Sequence, residues 1–312
     1  VTQERLRNLL AAELAQPAPE GAQAVARELA RRGGDATAAV LYYGSALRAG
    51  TLDGVLDFYV LLDDVRAWPG SWLVHLANRL LPPNVGYLEF DHGGERLRAK
   101  FAVMTVTQFA RRVTATALDT TLWARFCQPA LIVWSRTAAD HATAVDLVAA
   151  ATVRAADWAA RLGPATAPAA EFWRGLFART YTAELRVEKT SRAADIVGRD
   201  PARYTQLLPL AWEAGGIPHA HAADDALETR LSDAQRARAA AQWSRRARLG
   251  KPLNIVRLLK AAFTFEGAMD YVAWKIERHS GVRIEVAPWQ RRFPLLAAPG
   301  LYWKLRRRGV LR

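Results

Sequence analysis

Three residue groups in the first quarter of the chain have the types and spacing to do chemistry together. Tyr43-Gly44-Ser45 closes an apolar run that begins at Ala38. Asp57 lies inside a second run, Leu56-Asp57-Phe58-Tyr59-Val60-Leu61-Leu62, which ends in Asp63-Asp64. A Gly-Ser turn lets backbone N–H groups approach a triphosphate, and carboxylates on the next strand can hold Mg²⁺ against it. This is the layout of a nucleotidyl-transfer site. A carboxylate within an apolar strand is costly unless it is paired or binds a metal, so Asp57 carries most of the reading. Its plainer role is to cap a turn or to pair with Arg66. The usual signature also places two acids two residues apart on this strand. Tyr59 holds the second place here, which leaves the second ligand to Asp53, Asp63, Asp64 or a later strand.

The elements that must position these groups can be read from periodicity and punctuation. Residues 3–34 form two helices broken at Gln16-Pro17-Ala18-Pro19-Glu20, the second ending at Gly33-Gly34. Residues 37–43 and 55–62 are apolar enough for strands buried on both faces. Residues 71–81 are expected to be helical. Gly86–Phe90 and 97–105 follow as strands, joined at Asp91-His92-Gly93-Gly94. Residues 107–118 and 119–136 have helical composition, as does the Ala-rich stretch 137–215. A loop is expected over 213–222, then helices near 227–248 and 254–278 separated by Gly250-Lys251-Pro252. The implied fold class is α/β (α+β): a nucleotidyltransferase-type mixed sheet, then a helical domain and a basic amphipathic C-terminal region. The segments are 1–36 (helices packing on the catalytic domain), 37–136 (nucleotidyltransferase-like), 137–215 (helical) and 216–312 (helical, basic, with a membrane-facing tail).

Composition narrows the class. The chain has 312 residues with 11 Trp, enough apolar content for a folded protein. Its one cysteine, Cys127, excludes an intrachain disulfide and a Cys-based zinc site. No stretch approaches the roughly 18 apolar residues of a spanning helix, and no signal-peptide pattern is present, so the expectation is a cytoplasmic protein, peripheral at the inner face of the membrane. The net charge of +13 is uneven. Residues 233–260 and 289–312 carry +7 each, which leaves −1 on all the rest. The basic surface is expected in the C-terminal region, away from the metal site.

With these motifs in order, the chain resembles the mitochondrial translocator-assembly-and-maintenance type of CDP-diacylglycerol synthase. The resemblance covers about residues 38–210. It is carried by Tyr43-Gly44-Ser45, Leu56-Asp57-Phe58 with Asp63-Asp64, Trp68, the helix His75-Leu76-Ala77-Asn78, Asn84 and Tyr87, the strand containing Lys100, the stretch Leu122–Arg125 to Gln128-Pro129, and Tyr181 to Arg186 with Arg192. Ala46, Gly86 and Glu184 depart from the pattern, and residues 213–312 fall outside it. The resemblance implies Mg²⁺-dependent transfer of a cytidylyl group from CTP to phosphatidic acid. Asp57, with Asp63 or Asp64, would hold Mg²⁺. Tyr43, Gly44 and Ser45, with His75 and Asn78, would bind CTP, while Lys100 and Arg125 would offset triphosphate charge. Tyr181 and Arg186 would belong to the same binding set, with Arg186 receiving the lipid phosphate. Each has a structural alternative: a strand-end Lys100, an Arg125 that caps a helix, a capping or core His75, and a solvated face bearing Tyr181, Glu184 and Arg186.

A lipid substrate calls for a docking surface. Residues 289–312 interleave Trp289, Phe293, Leu295, Leu296, Leu301, Tyr302 and Trp303 with seven basic side chains, a composition suited to an anionic membrane. Helix 254–278 reads instead as core-facing. The same basic, aromatic tail suits nucleic acid, which keeps two rivals open: a transferase acting on an RNA end or a protein, and a degenerate transferase fold acting as a membrane or RNA adaptor.

Overall fold

A computed structural model describes residues 2–183, 196–281, 284–292, 300 and 303. The elements begin with α1 (Thr2–Leu14), α2 (Glu20–Gly33), β1 (Thr37–Tyr43), α3 (Ser45–Ala49), β2 (Leu56–Leu62), α4 (Trp72–Leu80), β3 (Asn84–His92) and β4 (Glu95–Thr105). They continue with α5 (Val106–Arg112), α6 (Thr121–Phe126), β5 (Ala130–Ser135), α7 (Ala138–Leu162), β6 (Thr166–Pro168), α8 (Ala169–Ala183) and α9 (Pro201–Ala214). The last are β7 (His219–His221), β8 (Ala226–Thr229), α10 (Asp233–Thr264), α11 (Ala268–Ser280) and α12 (Pro288–Arg292). The fold is mixed α/β with a mixed parallel and antiparallel sheet and a helical region, as the sequence indicates.

The chain forms two compact units, each discontinuous in sequence. One comprises Val1–Ala18 and Val106–Ile255; the other comprises Pro19–Thr105 and Val256–Arg312. This division differs from four consecutive segments, because the chain's last helices return to the strands of its first third. Periodicity within one segment carries no trace of such a return.

In the sheet-bearing unit the strand order is β3-β4-β2-β1. β1 and β2 are antiparallel, β2 and β4 parallel, and β3 and β4 form a hairpin across Gly93-Gly94. Alternation sends Tyr42, Phe58, Phe101 and Val103 to one face and Tyr43, Asp57, Tyr59 and Lys100 to the other. On the first face Tyr42 stacks on Phe58 with ring centroids 5.0 Å apart, and Trp68 meets Phe101 at 5.4 Å. α2 packs tightly there: a Cβ at Gly21 would lie 2.9 Å from Leu52, and one at Gly33 2.9 Å from Leu62.

The other unit is built on helices that bury large aromatic side chains, two of whose indoles donate to backbone carbonyls. Trp173 donates to the Tyr204 carbonyl and Trp212 to the Ala156 carbonyl, at 3.0 and 2.8 Å. Arg203 is buried with its Nε on Glu13 at 2.7 Å and one Nη on the Cys127 carbonyl. Cys127 is fully buried, and burial pushes its thiol up to about 12, so the thiol stays protonated.

Three sequence expectations change. Residues 130–135 are a strand, because Pro129 ends the helical stretch and Ile132-Val133-Trp134 favours extended backbone. Residues 226–229 are a short strand, followed by one helix that runs through Gly250-Lys251-Pro252. A proline removes one N–H and crowds the preceding turn, but strong helix formers continue on both sides. Finally, the basic stretch 233–260 is not a uniform anion-binding face. Arg236 donates to the Gly163 carbonyl, Lys260 to Leu81 and Pro83, and Arg246 to Ala115 and Ala117, with Arg246's guanidinium 4.4 Å from the Trp158 ring centroid. These cations serve the fold.

Candidate functional site

β1 ends at Tyr43, and the chain turns at Gly44 with φ 99° before α3 begins. Only glycine suits that backbone conformation beside this neighbour. A Cβ on Gly44 would lie 2.6 Å from Asp57 Oδ2 and 3.2 Å from Asp57 Cβ. The Asp57 carboxylate therefore rests against the Gly44 backbone. Strand register extends this contact into a row. Tyr43 pairs with Asp57 across β1 and β2, Asp57 with Lys100 across β2 and β4, and Lys100 with Tyr87 across β4 and β3. Register partners project to the same side, so Tyr43, Asp57, Lys100 and Tyr87 form one line across one face. The sequence pointed to Gly44, Asp57 and Lys100 separately; the register brings them together.

The same face is covered by α11, which the sequence reading left as a core helix. The Tyr87 N–H donates to the Glu266 carbonyl at 2.8 Å, fastening the chain before α11 to β3, and Gly267 (φ 72°) fits against the Tyr87 carbonyl where no side chain would. Tyr271 lies 5.3 Å from Tyr87, and Lys100 Nζ is 5.7 Å from the Tyr271 ring centroid. Trp274 stacks beside Tyr271 at 6.1 Å, with the guanidinium carbons of Arg278 and Arg98 at 5.3 and 6.0 Å from its ring centroid. Arg278 also reaches Gly54, three residues before Asp57; its Nη1 is 2.9 Å from where a Cβ would stand. Tyr271, Trp274 and Arg278 share one helical face at i, i+3 and i+7, which is the sequence signal that could have found them.

Three phenols of this unit have raised pKa values. Burial, and then the Asp57 charge, raises Tyr271, and the same two causes push Tyr42 up to about 12. Tyr87 is raised by burial and by its hydrogen bond to Glu89. Along the hairpin, Glu89 and Asp91 meet Arg98 and Arg96 at 3.4 and 3.1 Å.

The expected metal trio does not assemble on one ion. Asp57 is the second residue of β2 and Asp63 follows its last, so their Cα atoms are about 20 Å apart at the rise of an extended strand. The Asp63 N–H donates to the Ala36 carbonyl, at the end of β1 away from Gly44. Asp64 caps the turn Val65–Ala67, accepting from the Arg66 N–H at 2.9 Å and its Nε at 2.7 Å, and Arg66 holds its carboxyl below the usual range. Arg66 thus serves Asp64. Of the three alternatives Asp53, Asp63 and Asp64, Asp53 is the one at the Asp57 end of β2, exposed beside Gly54. Among the described residues, no three His, Cys, Asp or Glu side chains gather as a metal cage.

His75 and Asn78 are occupied elsewhere. His75 Nε2 is 2.9 Å from the Trp68 carbonyl, and the fully buried Asn78 donates from Nδ2 to the Val103 carbonyl at 2.9 Å. Both fasten α4. The Phe101 ring occupies the space over Gly86, which accounts for the absence of a side chain there. Arg125 on α6 and Tyr181 on α8 belong to the helical unit. Arg186, with Glu184 and Arg192, lies outside the described residues, as does most of the tail 289–312.

No protein-family model and no curated protein matches the chain. The chemistry must therefore come from the arrangement itself. A carboxylate against a tight glycine turn, a neighbouring lysine, two stacked rings and a flanking guanidinium suit a phosphorylated, aromatic ligand. Mg²⁺ is commonly held by one or two carboxylates together with substrate phosphates and waters. Asp57 fits that demand; it does not fit a cation caged by protein alone.

Proposed function

We propose that the row Tyr43–Asp57–Lys100–Tyr87 is a nucleotidyl-transfer site, and that its reaction is cytidylyl transfer from CTP to phosphatidic acid at an anionic membrane. The observation that carries this reading is the seating of the Asp57 carboxylate on Gly44, with Lys100 as its register partner. The sequence resemblance supplies the choice of nucleotide and acceptor. An oxygen of the acceptor phosphate attacks the α-phosphorus of CTP, the new P–O bond forms, and the α–β bridging bond breaks to release pyrophosphate. The acceptor is already ionised near neutral pH, so the site needs charge neutralisation and in-line positioning more than a strong base. Mg²⁺, when bound, neutralises triphosphate charge. Asp57 would hold it, the Gly44-Ser45 backbone would approach the terminal phosphates, and Lys100 would offset charge on the leaving group. Tyr271 and Trp274 offer stacking surface for a base, and Arg278 a bidentate phosphate donor. Cytoplasmic residence and peripheral attachment to the membrane belong to this proposal.

Tyr59, standing where a second acid is usual, favours one other reading: a module that binds a nucleotide without transferring it. One assay separates the two. Purified protein is incubated with α-labelled CTP, phosphatidic acid vesicles and Mg²⁺, with ATP, GTP and UTP in parallel. The transferase reading expects labelled CDP-diacylglycerol from CTP alone, lost in Asp57→Asn with an unchanged melting temperature. CTP binding without product supports the binding module, and full activity in Asp57→Asn removes Asp57 from the site.

A further inference from the structure

The sheet-bearing unit carries a second feature that the transfer site does not use: two neighbouring helices whose apolar faces are exposed. On α4, Trp72, Leu76 and Leu80 recur at i, i+4 and i+8 beside Leu73, and Trp72 and Leu80 are 70% and 75% exposed. On the last part of α10, Val256, Leu259 and Phe263 recur at i, i+3 and i+7 beside Leu258, and Phe263 is 75% exposed. The opposite sides of these helices are spent inward. Asn78 of α4 bonds to β4, and Lys260 of α10 donates at 2.6 Å to both the Leu81 and Pro83 carbonyls, just after α4 ends. Lys260 therefore sets the two helices next to one another with their apolar stripes turned out.

Exposed apolar residues are ordinary when scattered, but eight large ones on two adjoining helices mark a docking surface. Charge identifies the occupant. From residue 71 to 83, and from 234 to 265, the sequence contains no Asp or Glu, while Arg79 and Arg257 lie along the same helices and Lys260 is spent on the Leu81 and Pro83 carbonyls. A tryptophan and a phenylalanine among leucines, with cations and no acids, suit the headgroup boundary of an anionic bilayer.

We propose that α4 and residues 256–264 of α10 form the membrane-docking face of this protein, inserting Trp72, Leu73, Leu80, Leu258 and Phe263 at the surface of an anionic bilayer. The proposal deepens the lipid-acceptor reading and rests on it for the choice of occupant. It moves membrane contact from the tail, where composition alone places it, to the helix after Gly70 and to a stretch of the helix that the sequence pattern assigns to the core.

The test uses the full chain and two separate readouts. Co-sedimentation with phosphatidylcholine vesicles, with and without phosphatidylglycerol, measures docking without supplying the acceptor. Calorimetric titration with Mg·CTP in lipid-free buffer measures the transfer site. The wild type should sediment with the phosphatidylglycerol vesicles and less with the neutral ones. Trp72→Glu/Leu258→Glu/Phe263→Glu should lose vesicle affinity by at least about tenfold, with the melting temperature and CTP affinity unchanged, because all three side chains are exposed. The milder Trp72→Ser/Phe263→Ser should lose affinity in the same direction if the charged triple variant fails to fold. Wild-type vesicle binding by either folded variant overturns the proposal. So does a dimer in sedimentation equilibrium that the same substitutions dissociate, since a second copy would then cover the face. Loss of vesicle binding with intact CTP binding in the wild type sinks the docking face alone; vesicle binding without CTP binding sinks the transfer site alone.

Discussion

Replacing Gly44 by alanine places a methyl carbon 2.6 Å from Asp57 Oδ2, where carbon and oxygen cannot both remain. The backbone adds a second penalty, since φ at this position is 99°, and an L-residue held in such a region carries about 1–3 kcal/mol of strain. If the turn keeps its shape, the carboxylate must leave its rotamer, at a further cost of about 0.5–1.5 kcal/mol. Together the destabilisation is about 1.5–4.5 kcal/mol, or roughly 3–18 °C in melting temperature. Gly44→Ala should also lower cytidylyl transfer on the order of a hundredfold, because displacing a reacting group by about 1 Å has that effect. A double-mutant cycle isolates the contact. In Asp57→Ala the alanine at 44 meets no carboxylate, so Gly44→Ala should cost about 0.5–1.5 kcal/mol less in that background than in the wild type. Thermal melts of the four proteins give the coupling, and titration with Mg·CTP gives the functional loss. Additive melting shifts, or a Gly44→Ala protein that transfers at the wild-type rate, would show that Asp57 does not rest on this turn.

Two further predictions separate residues of the site from residues of the frame. Asn78→Ala should destabilise by about 1–3 kcal/mol, since it strands the Val103 carbonyl in a buried setting, yet leave CTP affinity unchanged; denaturant titration and calorimetry read the two effects. Arg278→Ala should do the reverse: Arg278 is exposed, so its stability effect should stay within about 0.5 kcal/mol, while KM for CTP rises several-fold. Arg278→Lys should recover little of that loss in steady-state kinetics, because an ammonium lacks the planar fork that stacks on Trp274.

What the sequence made legible was local. A turn residue with positive φ, a charge inside an apolar run and four strands bounded by glycines or acids are each decided within about ten residues. Asp63 and Asp64 show the limit. Six residues look close in sequence and span about 9 Å in a helix, but an extended strand carries Asp63 about 20 Å from Asp57. Lys100 shows the converse, since only the parallel register of β2 and β4 makes it Asp57's neighbour. The basic stretch 233–260 misleads for a third reason: charge is counted before partners are known, and Arg236, Arg246 and Lys260 each turn out to satisfy backbone carbonyls.

α11 joins these points into one chemical argument. A row with a single carboxylate and a single lysine is close to charge-balanced, and on its own it would attract a triphosphate weakly. The helix from the far end of the chain changes that balance by bringing Arg278 to Gly54 and by setting Tyr271 and Trp274 over Lys100 and Tyr87. Asp57 is the one carboxylate within the row Tyr43–Asp57–Lys100–Tyr87. On the proposed reading, a triphosphate would meet Lys100 and Arg278 beside a carboxylate able to share a divalent ion. On that reading, nucleotide affinity would depend on a helix more than 200 residues after the strands begin, and removing the charge of Arg278 would weaken it.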